Sequence, residues 1–131
     1  MEDRIELQPA PESVAAARRW SVQRAEQAGF GELRDTVALL VSEVVSNVVL
    51  HARTPCELSV ATSGQQVRVE VRDGHDRLPG VTRSRDPLSS SGRGMVLVEA
   101  LSDAHGSTAL PGGGKVVWFQ LAGPSESTRD A

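Results

Sequence analysis

Three short stretches of this chain carry side chains whose types and spacing could do chemistry together. The first runs from Leu40 to His51 and reads LVSEVVSNVVLH. Glu43, Asn47 and His51 recur every four residues, so on a helix they share one face. That face interrupts an otherwise apolar segment. Burying a polar group without a partner costs ~1–3 kcal/mol, so the stripe faces either solvent or a ligand. In a ligand site, the Asn47 amide oxygen suits a magnesium ion, a hard cation that prefers oxygen. Glu43 could then act as a general base or orient a water.

The second stretch is Val69 to Gly74, an alternating run that ends in Asp73-Gly74. A carboxylate at a strand end can accept from a donor such as the exocyclic amine of adenine. The glycine would let backbone come close. The same dipeptide also makes an ordinary turn. The third stretch is Ser91-Gly92-Arg93-Gly94-Met95. Glycines ahead of a helix bare their N–H groups, and the helix N-terminus carries partial positive charge, a combination that binds phosphate. Arg93 could add a charge-assisted contact. A Gly-x-Gly is also frequent in plain loops.

Other chemistries find no footing. His75, His105 and Cys56 have no metal-ligand spacing. There is no G-x-S-x-G nucleophile turn and no G-x-x-x-x-G-K-[ST] phosphate loop. A formal net charge of -3 gives no general attraction to nucleic acid. The single cysteine rules out an intrachain disulfide and suits a reducing compartment. No stretch approaches the roughly 20 apolar residues of a membrane span, and the opening Met1-Glu2-Asp3-Arg4 does not read as a signal peptide. The expected home is the cytoplasm. Trp20 and Trp118 are expected in the core or an interface rather than as a stacking platform.

The elements that must position these residues follow from periodicity. Arg4 to Leu7 reads as a short edge strand, ended by Pro9 and Pro11. An Ala- and Arg-rich run from Ser13 to Gln27 favours helix, with Gly29 as its stop. Leu33, Val37, Leu40, Val41, Val44 and Val48 predict a second, largely buried helix from about Glu32 to His51. Residues 57–62 and 67–72 alternate around Ser63-Gly64-Gln65-Gln66, a β-hairpin with one buried face. Residues 74–92 lose all pattern, and a loop that long is usually functional or disordered. A short helix from Met95 to Asp103, a strand over Thr108 to Leu110 and a last strand from Lys115 to Leu121 complete the chain. The order predicts an α+β two-layer sandwich over residues 4–122, with a polar tail over 123–131.

In order and spacing, the three stretches together resemble the GHKL ATPase superfamily. Glu43-x-x-x-Asn47-x-x-x-His51-Ala52 is similar to its asparagine box, and Asp73-Gly74 to its adenine-binding aspartate box. Gly92-Arg93-Gly94-Met95 is similar to the glycine box that ends the ATP lid. Gly113 to Trp118 resembles the last strand pair. The small size, and no region resembling a dimerisation and phosphoacceptor helix pair, favour the anti-sigma-factor serine/threonine kinases over a free-standing histidine-kinase catalytic domain.

The resemblance implies a Bergerat fold, with a mixed, mostly antiparallel sheet covered on one face by helices. It implies ATP and magnesium as cofactors, with magnesium on Asn47. It places Asn47, His51, Asp73, Gly74, Gly92, Arg93, Gly94 and Met95 around the nucleotide, and Glu43 as the base for a target serine. Its implied partners are a sigma factor and an anti-anti-sigma protein of the STAS type, with homodimerisation in keeping with the family. Two positions that are glycine in the fuller aspartate box are His75 and Arg77 here, and Val116 stands where the last strand often has Thr. These departures favour a second expectation, a non-catalytic GHKL module that binds ATP weakly or not at all and works through protein contacts.

Overall fold

Alternating valines build the centre of the molecule. A computed structural model describes residues 2–74 and 90–123, with side chains from 95 onward in the second segment. The hairpin pairs β2 (Cys56–Ser63) with β3 (Gln66–Asp73). Leu58, Val60, Val67, Val69 and Val71 point to one side and are buried there, as period-2 alternation requires. The first strand, β1 (Glu2–Leu7), adds to the β2 edge. The last, β5 (Lys115–Ala122), pairs with β3 and in turn holds β4 (Ala104–Ala109). The sheet order is β1-β2-β3-β5-β4, and every pairing is antiparallel. The resemblance had implied a partly mixed sheet. Here each neighbour in the sheet runs opposite to the next, so no described strand pair needs a parallel crossover.

Helices cover the apolar face, so the architecture is the expected α+β sandwich. Helix α1 (Glu12–Gln27) buries Ser13, Ala17, Ser21 and Ala25, small residues spaced by four, and packs on α2 (Arg34–Asn47). Its stop is Gly29, at φ 90. The Gly29 N–H donates to the Glu26 carbonyl and the Phe30 N–H to the Ala25 carbonyl, the paired bonds that close a helix around a left-handed residue. Phe30 then turns into the core. Helix α2 buries Val37, Leu40, Val41, Val44 and Val45.

The single helix expected from Glu32 to His51 comes in three pieces. A 3-10 turn, Gly31–Leu33, leads into α2, and a π turn, Val48–Ala52, follows it. The π turn closes with the Arg53 N–H on the Val48 carbonyl at 2.7 Å, and Arg53 takes a left-handed φ of 58. Helix α3 (Ser90–Leu101) starts five residues before the expected Met95. Strand β4 starts four residues before the expected Thr108. The remainder of the patternless stretch, residues 75–89 with His75 and Arg77, lies outside the described residues, as does the tail from 124.

Trp20 is partly buried against the core, in line with expectation. Trp118 lies on the opposite face of the sheet, where the Arg68 guanidinium sits 4.1 Å from its ring centre. Among the described residues, no helix is long and apolar enough to cross a membrane.

Candidate functional site

Helix α2 carries Glu43 and Asn47, both half-buried, and the π turn carries His51, which is exposed. Asn47 Oδ1 is buried and has no hydrogen-bond partner among the described residues. Buried polar atoms are nearly always bonded, so an oxygen left bare in this way is fitted to receive something that the described residues do not supply. Its chemistry suits a hard cation. One turn earlier, the Glu43 carboxylate forms no ion pair among the described residues. Beside it, Ser42 turns back on its own helix, donating to the Ala38 carbonyl at 2.7 Å and accepting from Arg18 at 3.2 Å.

The aspartate box sits where three strands end level with one another. Cross-strand register places Cys56, Asp73 and Lys115 side by side on β2, β3 and β5. Lys115 Nζ lies 3.0 Å from Asp73 Oδ1 and 2.9 Å from Oδ2. The side chains are only 8% and 1% exposed. Asp73 therefore arrives at the site already holding a cation. Its charge, after burial itself, helps push the Cys56 thiol up to about 11, with a further contribution from Glu6. That thiol stays protonated at neutral pH.

Gly74 follows at the strand end, where its N–H donates to Thr54 Oγ1 at 3.0 Å. A Cβ at Gly74 would make only ordinary contact with Thr54, so nothing among the described residues demands glycine there. Gly114 is different. It has φ +89, and a Cβ would stand 2.5 Å from the Asp73 carbonyl oxygen. Only glycine lets β5 begin this close to the aspartate.

The glycine box lies within helix α3 rather than ahead of it. Gly92, Arg93 and Gly94 fall in the opening turns, the part of a helix whose first amides have no intrahelical acceptor. Their side-chain surroundings lie outside the described residues. Met95 is buried in the core, which leaves its main chain, not its side chain, for any contact with a ligand.

Two residues of the site escaped the sequence reading. Lys115 and Gly114 were legible only as part of a terminal strand. The one usable signal was that Lys115 is the only lysine in the chain and follows three consecutive glycines.

A model of the histidine kinase-like ATPase domain matches residues 7–121. The chain belongs to this family. The match runs from the last residue of β1 into β5 and includes every candidate site residue named above. Membership places the histidine kinase-like ATPase domain within the GHKL superfamily and supports ATP binding as its function. No curated protein matches the chain.

Proposed function

We propose that this histidine kinase-like ATPase domain is a serine/threonine protein kinase of the anti-sigma-factor kind. It would phosphorylate a serine on an anti-anti-sigma partner of the STAS type and, once that partner is modified, hold a sigma factor. The observation that carries this reading is the bare, buried Oδ1 of Asn47 one helical turn from the unpaired Glu43. Asn47 would hold magnesium, which when bound neutralises phosphate charge. Glu43 would take the proton of the serine hydroxyl as its oxygen bonds to the γ-phosphorus. The bond to the β–γ bridging oxygen breaks, and ADP leaves. Protein groups then contribute mainly position and charge. His51, Gly74, Gly92, Arg93 and Gly94 would line the nucleotide. A cytoplasmic home and a homodimer accompany the proposal.

A second reading is a non-catalytic module of the same fold. The Asp73–Lys115 pair favours it, because the carboxylate assigned to adenine is engaged within the chain. Calorimetric titration with magnesium-ATP, beside Asp73→Ala, tests nucleotide binding at this site. Incubation with labelled ATP and a candidate partner separates the two readings: the kinase labels a serine and the module does not. Glu43→Ala should abolish transfer and leave ATP binding nearly intact. Equal loss of both would make Glu43 a binding residue instead.

A further inference from the structure

The β2–β3 ladder stops at the candidate site, and a side chain carries it one step further. The register of the two strands ends with Cys56 opposite Asp73. The next residue on the β2 side, Pro55, has no N–H with which to continue it. Thr54 takes over. Its Oγ1 accepts from the Gly74 N–H at 3.0 Å and donates to the Pro55 carbonyl at 3.1 Å. A hydroxyl has one proton to give, so giving it to Pro55 leaves the oxygen to face Gly74 as an acceptor. The side chain also packs there, since a Cβ at Gly74 would stand 3.6 Å from Thr54 Cβ and Cγ2.

Two features aim Thr54 at this place. It precedes Pro55, and a residue before proline favours extended backbone. It follows Arg53, whose left-handed φ of 58 closes the π turn at the end of α2. The bond therefore joins two segments that the sheet does not: the exit of the helix that carries Asn47 and the exit of the strand that carries Asp73. On its other side, Gly74 meets the entry to β5, where a Cβ on Gly114 would lie 3.4 Å from Gly74 Cα.

We propose that Thr54 is a positioning residue of the nucleotide site. Its hydroxyl sets the Gly74 main chain before a nucleotide arrives and keeps the end of β3 aligned with the end of α2. This rests on the reading of a nucleotide site around Asn47 and Asp73. The bond is exposed, so water replaces it when it is lost, and the fold loses little. What goes is preorganisation: Gly74 must then be ordered at the moment of binding, and that cost appears in affinity.

The test is calorimetric titration of the full chain with magnesium-ATP, at a temperature where each variant is folded by circular dichroism. Thr54→Val keeps the stiff, branched shape and accepts no hydrogen bond. It should bind ATP at least about fivefold more weakly than the parent, within the range that one lost hydrogen bond produces, with little change in unfolding midpoint. Thr54→Ser keeps the hydroxyl and should bind within about twofold of the parent. A valine variant that binds ATP like the parent, whatever its midpoint, makes Thr54 a tie of the fold alone and overturns the proposal. A serine variant as weak as the valine one assigns the effect to the lost methyl and overturns it too. Both results leave the nucleotide site standing. If the parent itself binds no ATP, the nucleotide reading falls and this proposal with it.

Discussion

The rim of the sheet and the middle of α2 both bury polar atoms, and they treat them in opposite ways. At the rim, Asp73 and Lys115 form an ion pair at 2.9–3.0 Å across neighbouring strands. On α2, Asn47 Oδ1 is equally hidden and has no partner among the described residues. The first arrangement pairs its buried charges within the chain and belongs to the stability of the fold. The second is left for something beyond the described residues to complete. A site built this way has an ion-paired edge and a receptive wall, so damage to each should show in a different measurement.

The sharpest way to break the comparison is Lys115→Met. It strands a buried carboxylate, and breaking such a pair typically costs about 3–5 kcal/mol. Urea unfolding should show that loss, while the double variant Asp73→Leu with Lys115→Met recovers most of it. A single variant as stable as the parent would mean that the rim is wetter than its exposure indicates. Next is Cys56, the neighbour of Asp73. With its thiol pushed up to about 11 from 9.0, its thiolate fraction at neutral pH is about a hundredfold below that of an ordinary thiol. Alkylation of the folded protein should be slower by at least that factor and should accelerate as pH rises towards 11. A rate equal to that of the unfolded chain would separate the thiol from both burial and the aspartate.

Gly114→Ala should cost about 2 kcal/mol, since it forces a side chain into a left-handed conformation and against the Asp73 carbonyl. Thermal unfolding reads this directly, and an unchanged midpoint would show that β5 can shift away from β3. The smallest effect tests the receptive wall. Asn47→Leu removes an unsatisfied atom, so stability should hold or rise by up to about 1 kcal/mol. Magnesium-dependent ATP affinity should fall about tenfold or more by calorimetry. A loss of stability instead would make Asn47 a structural residue and erase the contrast.

Much of this was legible in the sequence, for identifiable reasons. Alternation at Val67, Val69 and Val71 fixed the hairpin and its buried face, because one-sided burial leaves no other register. The spacing of Glu43 and Asn47 placed both on α2. Helix α3 was placed too late because Ser90, Ser91, Gly92 and Gly94 have poor intrinsic helix preference, and local propensity is a weak prior. The break at Val48 was invisible, since Val48 and Val49 simply continue the apolar run into the π turn. The Asp73–Lys115 pair could not be read at all. The two residues lie 42 apart, and their meeting depends on β5, not β4, lying next to β3.

Gly106 shows how an edge strand of weak sequence can still have one alignment. Strand β4 reads AHGSTA, with little in it to hold a register. Yet Gly106 faces Trp118 across β5, and a Cβ there would stand 2.8–2.9 Å from the indole ring. Arg68 covers that ring from β3. Slide β4 by one residue and His105 or Ser107 lands opposite the indole; slide it by two and Ala104 or Thr108 does. Each brings a Cβ where there is room only for hydrogen. The missing side chain acts as a keyhole for the tryptophan, and the edge of the sheet is aligned by an absence.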